Sequence, residues 1–333
     1  MHIDFSKVFS GKRVLVSGGA GFIGSHLALR LVELGADVTI VDILDPDSGA
    51  NLFNIAGIEK QARLIIADMN DLSKVGSALQ GQDFLFQLAG QVSHISSMQD
   101  PLKDIESNAI SQLKVLEFCR LHTSDIRVVF AGTRQVYGRP RTLPVNEEHP
   151  LAPADYNGVS KLAGDLYHIV CNQAYGLWTT VLRLTNVYGP HMRVKDSRQT
   201  FIGWWIRQLL EEKELEIFGD GQQLRDLNYV DDVVEAMLLC AANPSAKGQI
   251  YNLGNEPIRL LDLARLMIEI NGRGAYRLTP FPLERQRIDI GDYYGDYSKI
   301  HSELGWQPAV PLQDGLERTL AFYRQHNRRY WQS

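Results

Sequence analysis

The chemistry of this chain concentrates around residues 133–161. Thr133 supplies a hydroxyl. Tyr156 supplies a phenol, Asn157 a carboxamide and Lys161 an ammonium. A phenol becomes a useful general base when a neighbouring cation depresses its pKa. An amide donates and accepts hydrogen bonds, but it takes no proton near neutral pH. The phenol and the amide are adjacent, and one step along a helix turns a side chain by about 100°. Tyr156 therefore occupies the place of Asn157 only if the helix begins at Asn157. His94, in Gln91-Val92-Ser93-His94, offers an imidazole that titrates in the useful range. His191, after Gly189-Pro190, offers a second. Tyr156, His94 and His191 all remain open as the base.

A second set of residues suits a dinucleotide. Gly18-Gly19-Ala20-Gly21-Phe22-Ile23-Gly24 lies between an expected strand and an expected helix. Glycines at 18, 21 and 24 allow a tight turn, close approach to a pyrophosphate and close helix–strand packing. Phe22 and Ile23 open the helix over the phosphates. Asp42 follows by about 20 residues, at the end of the next strand, where its carboxylate accepts ribose hydroxyls. That carboxylate favours NAD and opposes the extra phosphate of NADP. Asp68 and Met69 after the third strand, and Leu88-Ala89-Gly90 after the fourth, complete a cofactor rim.

These residues need a scaffold, and the hydrophobic pattern supplies one. Short apolar runs at 13–17, 38–41, 63–66, 84–88, 127–131 and 179–184 alternate with helical patterns at 22–34, 102–121 and 158–175. Such alternation predicts βαβ units. The expected fold is α/β: a Rossmann-type, doubly wound parallel sheet with ligands at the carboxyl ends of its strands. After Tyr188-Gly189-Pro190 the pattern loosens into helical segments at 202–212, 230–242 and 260–270 between loops rich in Gly, Pro and Asn. This predicts a smaller, mixed C-terminal substrate-binding lobe. The division is 1–185 for the NAD-binding unit and 186–333 for the lobe, interleaved in space.

The 333 residues are 44% hydrophobic and 22% charged, with a net charge of −5. That balance advertises no face for nucleic acid or an anionic membrane. Basic pairs such as Arg139/Arg141 and Arg285/Arg287 suit a small phosphate-bearing molecule better than a polymer. No apolar run is long enough to span a membrane, and residues 1–11 lack a signal-peptide core. Cys119, Cys171 and Cys240 are scattered in apolar company. They read as reduced core thiols of a cytoplasmic protein, with no metal site.

Taken together, GGAGFIGSHL at 18–27, GTRQVYG at 132–138, NGVSKLAGD at 157–165, RLTNVYGP at 183–190, RDLNYVDD at 225–232 and ELGWQP at 303–308 resemble the extended short-chain dehydrogenase/reductase family. More narrowly, the chain resembles its NAD-dependent nucleotide-sugar epimerases and dehydratases, and the likeness covers nearly the whole length. In that family a Ser or Thr, a Tyr and a Lys serve a tightly held NAD. The resemblance places Thr133 and Lys161 in two of those roles and Asn157 where the Tyr belongs. Dehydratases of the group carry an acidic pair directly after the Thr; here Arg134-Gln135 stands there. Relatives that decarboxylate a sugar acid also usually carry a carboxylate there. Epimerisation through a transient keto-sugar is the least contradicted reaction. The resemblance further implies Asn186 and Arg225 at the sugar-nucleotide diphosphate, with Arg287 and Asp289 as its second arginine and companion acid. It also implies a homodimer in which the helices at 102–121 and 158–175 pair across a two-fold axis into a four-helix bundle. Val115, Phe118, Tyr167 and Val170 exceed what one core-facing stripe needs. Two other readings are a nucleotide-sugar-binding protein with structural NAD and no turnover, and a 4-ketosugar reductase or dehydratase.

Overall fold

The computed structural model describes residues 3–198 and 200–331. Strand β1 (Arg13–Ser17), β2 (Asp37–Asp42), β3 (Ala62–Ile66), β4 (Phe84–Gln87), β5 (Arg127–Thr133) and β6 (Trp178–Leu184) form one parallel sheet. A seventh strand, Ile250–Asn252, joins its edge beside Val181–Arg183. The spatial order is Ile250–Asn252, β6, β5, β4, β1, β2, β3. The order reverses at β1, which pairs with β2 on one side and β4 on the other. A crevice opens at such a reversal, and ligands of doubly wound sheets bind there.

Apart from the edge strand β3, these strands are largely apolar runs buried on both faces, as a covered parallel sheet requires. Successive residues point to opposite faces. Val14 and Val16, and Phe84 and Phe86, join one core, lined by the helices Phe22–Glu33 and Val230–Ala242. Leu15 and Leu85 join the other, with Val75, Leu116 and Cys171. The helices Leu72–Leu79, Ser111–His122 and Tyr156–Tyr175 cover that face.

A separate core forms the lobe: Trp205, Ile206, Leu263, Met267, Leu316 and Leu320 pack between the helices Phe201–Leu210, Leu260–Asn271 and Leu312–His326. The chain returns to the first unit from beyond residue 186. Val230–Ala242, the edge strand and the segment around Ile300 and Trp306 all pack there. The helix expected at 102–121 is broken: Pro101–Ile105 and Ser111–His122 flank a π-helical turn, Glu106–Ile110. Val115 is fully buried in the sheet core, so it does not belong to a second, outward stripe as expected. The three cysteines are free and buried. No helix among the described residues is long and apolar enough to cross a membrane.

Candidate active site

The glycine turn sits at the reversal of strand order. Gly18 has φ +69, and a Cβ there would meet Ala89 N at 3.0 Å. A Cβ on Gly24 would stand 2.2 Å from Gly18 O, so only glycine lets the helix Phe22–Glu33 seat against the turn. Gly21 occupies the N-cap and donates no side-chain cap, leaving the first turn's N–H groups to a ligand. Ser17 Oγ accepts from both Leu88 N and Ala89 N at 3.1 Å, which fixes the strand exits together. Asp42 ends β2, buried, with Oδ2 accepting from Ala20 N at 3.0 Å and Oδ1 from Leu44 N at 2.8 Å. Burial raises its pKa, and those backbone donors oppose the rise. Asp68 is exposed and turned onto Asn70 N. Met69 is a core side chain, packed with Val41 and Val75, so its side chain is not on the expected cofactor rim. Ile43 and Ile66 add exposed apolar surface beside Asp42, a feature a strand-pattern reading passes over.

Lys161 is buried, with Nζ donating to Ala131 O at 3.4 Å. Burial holds its pKa down to about 8, against the pull of Asp165 and Asp104. A Cβ on Gly90 would lie 3.2 Å from Nζ, so the cofactor rim and the ammonium meet. Thr133 is half-buried at the end of β5, its Oγ1 accepting from Gln135 N at 3.2 Å.

Asn157 is buried, and its amide is committed. Nδ2 donates to Gln91 O at 2.9 Å and to Asp104 Oδ1 at 3.0 Å. Asn108 Nδ2 donates to the same two acceptors. The helix begins at Tyr156, one residue before the position that would aim the phenol inward. Tyr156 is accordingly 49% exposed and shares a stripe with Val159, Leu166 and Val170. His191 is also turned away: its Nδ1 pairs with Ser25 Oγ at 3.0 Å on the glycine-turn helix. Burial, and then the neighbouring His26 and His326, push its pKa to about 3.

His94 differs from both. Its side chain is 33% exposed, and Nδ1 stands 2.9 Å from Oδ2 of fully buried Asp155. Asp155 also caps the helix Tyr156–Tyr175 through Gly158 N at 2.7 Å and accepts from Gln135 Nε2 at 3.0 Å. Burial raises the Asp155 pKa, but His94 and these donors win and hold it below the usual carboxylate range. The approach is close without being aligned as a hydrogen bond; a carboxylate anchored at one ring nitrogen stabilises a proton there and leaves the other nitrogen for proton transfer. Asp155 carried a signal that the pattern reading missed. An Asp immediately before a helical run is an N-cap.

On the substrate side, Asn186 Nδ2 donates to Asp226 O at 3.1 Å, and its Oδ1 accepts from Arg134 Nη2 at 3.2 Å. Arg225 is buried, donates to Leu224 O and Gly291 O, and lies 3.6 Å from Asp289. Asp289 therefore belongs to the cluster. Arg287 does not: its side chain is exposed and makes no hydrogen bond or ion pair with the described residues. Arg134, which sequence reasoning treated only as the absence of an acid, stands in the middle of the cluster, over the Tyr293 ring at 5.0 Å.

A Rossmann-type sheet with a glycine cradle at its switch point, a buried Asp at the end of the next strand, and Thr133 and Lys161 at the neighbouring strand ends defines a dinucleotide-dependent enzyme of the short-chain dehydrogenase/reductase type. The chain matches the NAD dependent epimerase/dehydratase family over residues 14–254, and it belongs to that family. It is 31% identical to the UDP-glucose 4-epimerase of Mycolicibacterium smegmatis over 316 residues, covering 94% of this chain and 98% of that one. Among solved structures it is similar to the UDP-glucose 4-epimerase of Thermotoga maritima with UDP-glucose. That likeness has a TM-score of 0.85 and 30% identity, over 95% of this chain and 99% of that one. It is similar also to a dTDP-glucose 4,6-dehydratase of Streptomyces venezuelae solved with NAD. The TM-score is again 0.85, with 29% identity over 96% and 98% of the two chains. NAD is the cofactor, and the glycine cradle described above has the shape to hold it.

Proposed function

We propose that this protein is an NAD-dependent epimerase of a nucleotide-linked sugar in which His94, oriented by Asp155, replaces the family's tyrosine as acid/base. The supporting observation is the 2.9 Å approach of His94 Nδ1 to a fully buried carboxylate that is itself anchored by a helix N-terminus. Bound NAD supplies reversible oxidation of one sugar carbon. The chain supplies the proton path. With Nδ1 turned to Asp155, the other ring nitrogen takes the sugar hydroxyl's proton as the keto-sugar forms, and Asp155 stabilises the imidazolium. The same proton returns when the alcohol is restored on the opposite face. Thr133 positions the hydroxyl and Lys161 holds the nicotinamide ribose, while Asn186 and the buried Arg225 take the diphosphate. A guanidinium suits those oxygens. Neither residue after Thr133 is acidic, which disfavours the dehydratase reading.

The committed amide of Asn157 supports a second reading, a sugar-nucleotide-binding protein without turnover. Incubating the purified protein with UDP-, dTDP-, GDP- and CDP-sugars, read by proton NMR, separates the two. Epimerisation by the wild type, reduced about 10²–10⁴-fold in His94→Gln, is the expected result. A wild type inert on every sugar would sink the enzymatic reading. An active enzyme indifferent to His94→Gln would sink the dyad.

A further inference from the structure

Arg134 is a cation whose charge the site leaves open. It follows Thr133 at the carboxyl end of β5 and opens the short helical turn Arg134–Tyr137. Nη2 donates to Asn186 and the guanidinium lies over Tyr293, yet Nη1 is buried with no hydrogen-bond partner among the described residues. No carboxylate among them comes within 4.0 Å of it. Of the acids whose charge acts on it, Asp289 and Asp155 are engaged elsewhere, and Asp226 keeps Oδ1 unpartnered but beyond ion-pair distance. Asp289 pairs with Arg225 and accepts from Gln223 and Gly291. Asp226 is fully buried, accepts from Gly295 N through Oδ2, and burial pushes its pKa up to about 7, so it is only partly charged at neutral pH. Arg225 is close enough for the two guanidiniums to disfavour each other; burial first, then Arg134, brings the Arg225 pKa down to about 10. Asp155, the partner of His94, also feels the Arg134 charge. Two desolvated guanidiniums with one carboxylate, Asp289, between them are costly until an anion arrives.

The diphosphate accounts for one of them. Arg225 lies beside Asp289, whereas Arg134 holds Asn186 and is next in sequence to Thr133. We propose that Arg134 is a specificity residue that pairs with a carboxylate on the sugar, so that the substrate is a nucleotide-linked hexuronic acid. This rests on the nucleotide-sugar reading above and narrows it. A part-buried guanidinium whose Nη1 is buried and unpartnered, with Nη2 beside it, donates to both oxygens of a carboxylate, a match that a neutral hydroxymethyl group does not offer. A site holding such a group also rejects the neutral sugar, because the uncompensated charge stays buried.

Binding, not turnover, tests this, so the result is independent of whether His94 is the base. The NAD-loaded protein is titrated by calorimetry with UDP, dTDP, GDP and CDP to find the preferred nucleotide. It is then titrated with that nucleotide's neutral hexose and hexuronic acid conjugates. The wild type is expected to prefer the uronic acid at least tenfold. Arg134→Met is expected to abolish the preference while binding the bare nucleotide as before, which also shows that the variant is folded. Arg134→Lys should keep part of it. Equal loss of affinity for bare nucleotide and both conjugates in Arg134→Met would assign Arg134 to the diphosphate and overturn the proposal. A wild type without preference for the acid would overturn it too. Failure to bind any of the four nucleotides would remove the nucleotide-sugar reading itself, a distinct result.

Discussion

At the residue scale the unusual feature is Asn157, and its type was legible where its role was not. The sequence shows that the amide takes no proton. It does not show that the amide is bonded to Asp104 and Gln91, residues far away along the chain. Asn157 is thus part of the support of the site. In Asn157→Ala, Asn108 remains as donor to both acceptors, and one buried interaction set is lost. Stability should fall by about 1–3 kcal/mol with kcat changed only a few-fold. Denaturant unfolding and steady-state kinetics check this; a hundredfold loss of kcat at unchanged stability would place the amide at the reacting atoms. Lys161 makes a second prediction, with two opposed signs. Its pKa falls from 10.5 in the unfolded chain to about 8 in the fold. Below pH 8 the ammonium is charged in both states. Between 8 and 10.5 the unfolded chain holds more protons, so this group's contribution to stability rises with pH there. Functions that need the charge fall over the same range. NAD affinity should therefore decline above pH 8 while the melting temperature of wild type relative to Lys161→Met improves. A gap between the two proteins that stays flat from pH 7 to 10 would contradict the shifted lysine.

At the element scale the six main strands and the glycine turn could be read because each is a local pattern: an apolar run, a turn, a helix start. The edge strand Ile250–Asn252 could not. It is three residues long and follows loops, and only its pairing with β6 makes it a strand. The start of the helix Tyr156–Tyr175 was likewise hidden, though Asp155 marked it. That one-residue boundary decides that Tyr156 faces outward. The broken helix before it was invisible for a related reason, since a π-helical turn leaves the apolar periodicity almost intact. The element most sensitive to substitution is the glycine turn. Gly24→Ala puts a Cβ 2.2 Å from a backbone oxygen with no flexible side chain to yield. The helix Phe22–Glu33 must move off the turn, and NAD binding should fail before the sheet does. Calorimetry should show NAD affinity lost while far-ultraviolet circular dichroism is retained; wild-type NAD affinity in Gly24→Ala would show that the helix is not pinned there. The same experiment run with NADP tests Asp42. Its carboxylate, held by Ala20 N and Leu44 N, should oppose the added phosphate by several kcal/mol, so equal affinity for the two cofactors would remove Asp42 from the ribose site.

At the scale of the whole molecule, one surface is unfinished. Leu102, Ile105, Ile110, Leu113 and Leu121 are each at least 39% exposed on the segment that runs along the sheet. Val159, Leu166 and Val170, with Tyr156 above them, are about half exposed on the neighbouring helix Tyr156–Tyr175. The two segments pack side by side, so these residues form one continuous apolar patch. A contiguous patch of this kind on a monomer marks an interaction site. Two adjacent helices that run parallel, as successive crossovers of a parallel sheet must, give a four-helix bundle and a self-complementary contact when they meet their own copies across a two-fold axis. The partners named by the pattern alone were mixed: Val170 faces out, whereas Val115 is core. A homodimer is the expected state in light scattering at micromolar concentration. Leu166→Glu with Val170→Glu places two charges on each side of the axis, where burial without a counter-ion costs far more than the lost apolar contact. The variant should be a folded monomer with its melting temperature lowered and made independent of protein concentration. The dyad lies close by, because Asp155 caps the helix that carries the patch and His94 leans on Asp155. Loss of the dimer should therefore loosen the first turn of that helix and reduce kcat more than substrate affinity. A wild type that is monomeric at micromolar concentration would refute the interface, and a monomeric variant with unchanged kcat would uncouple it from the dyad.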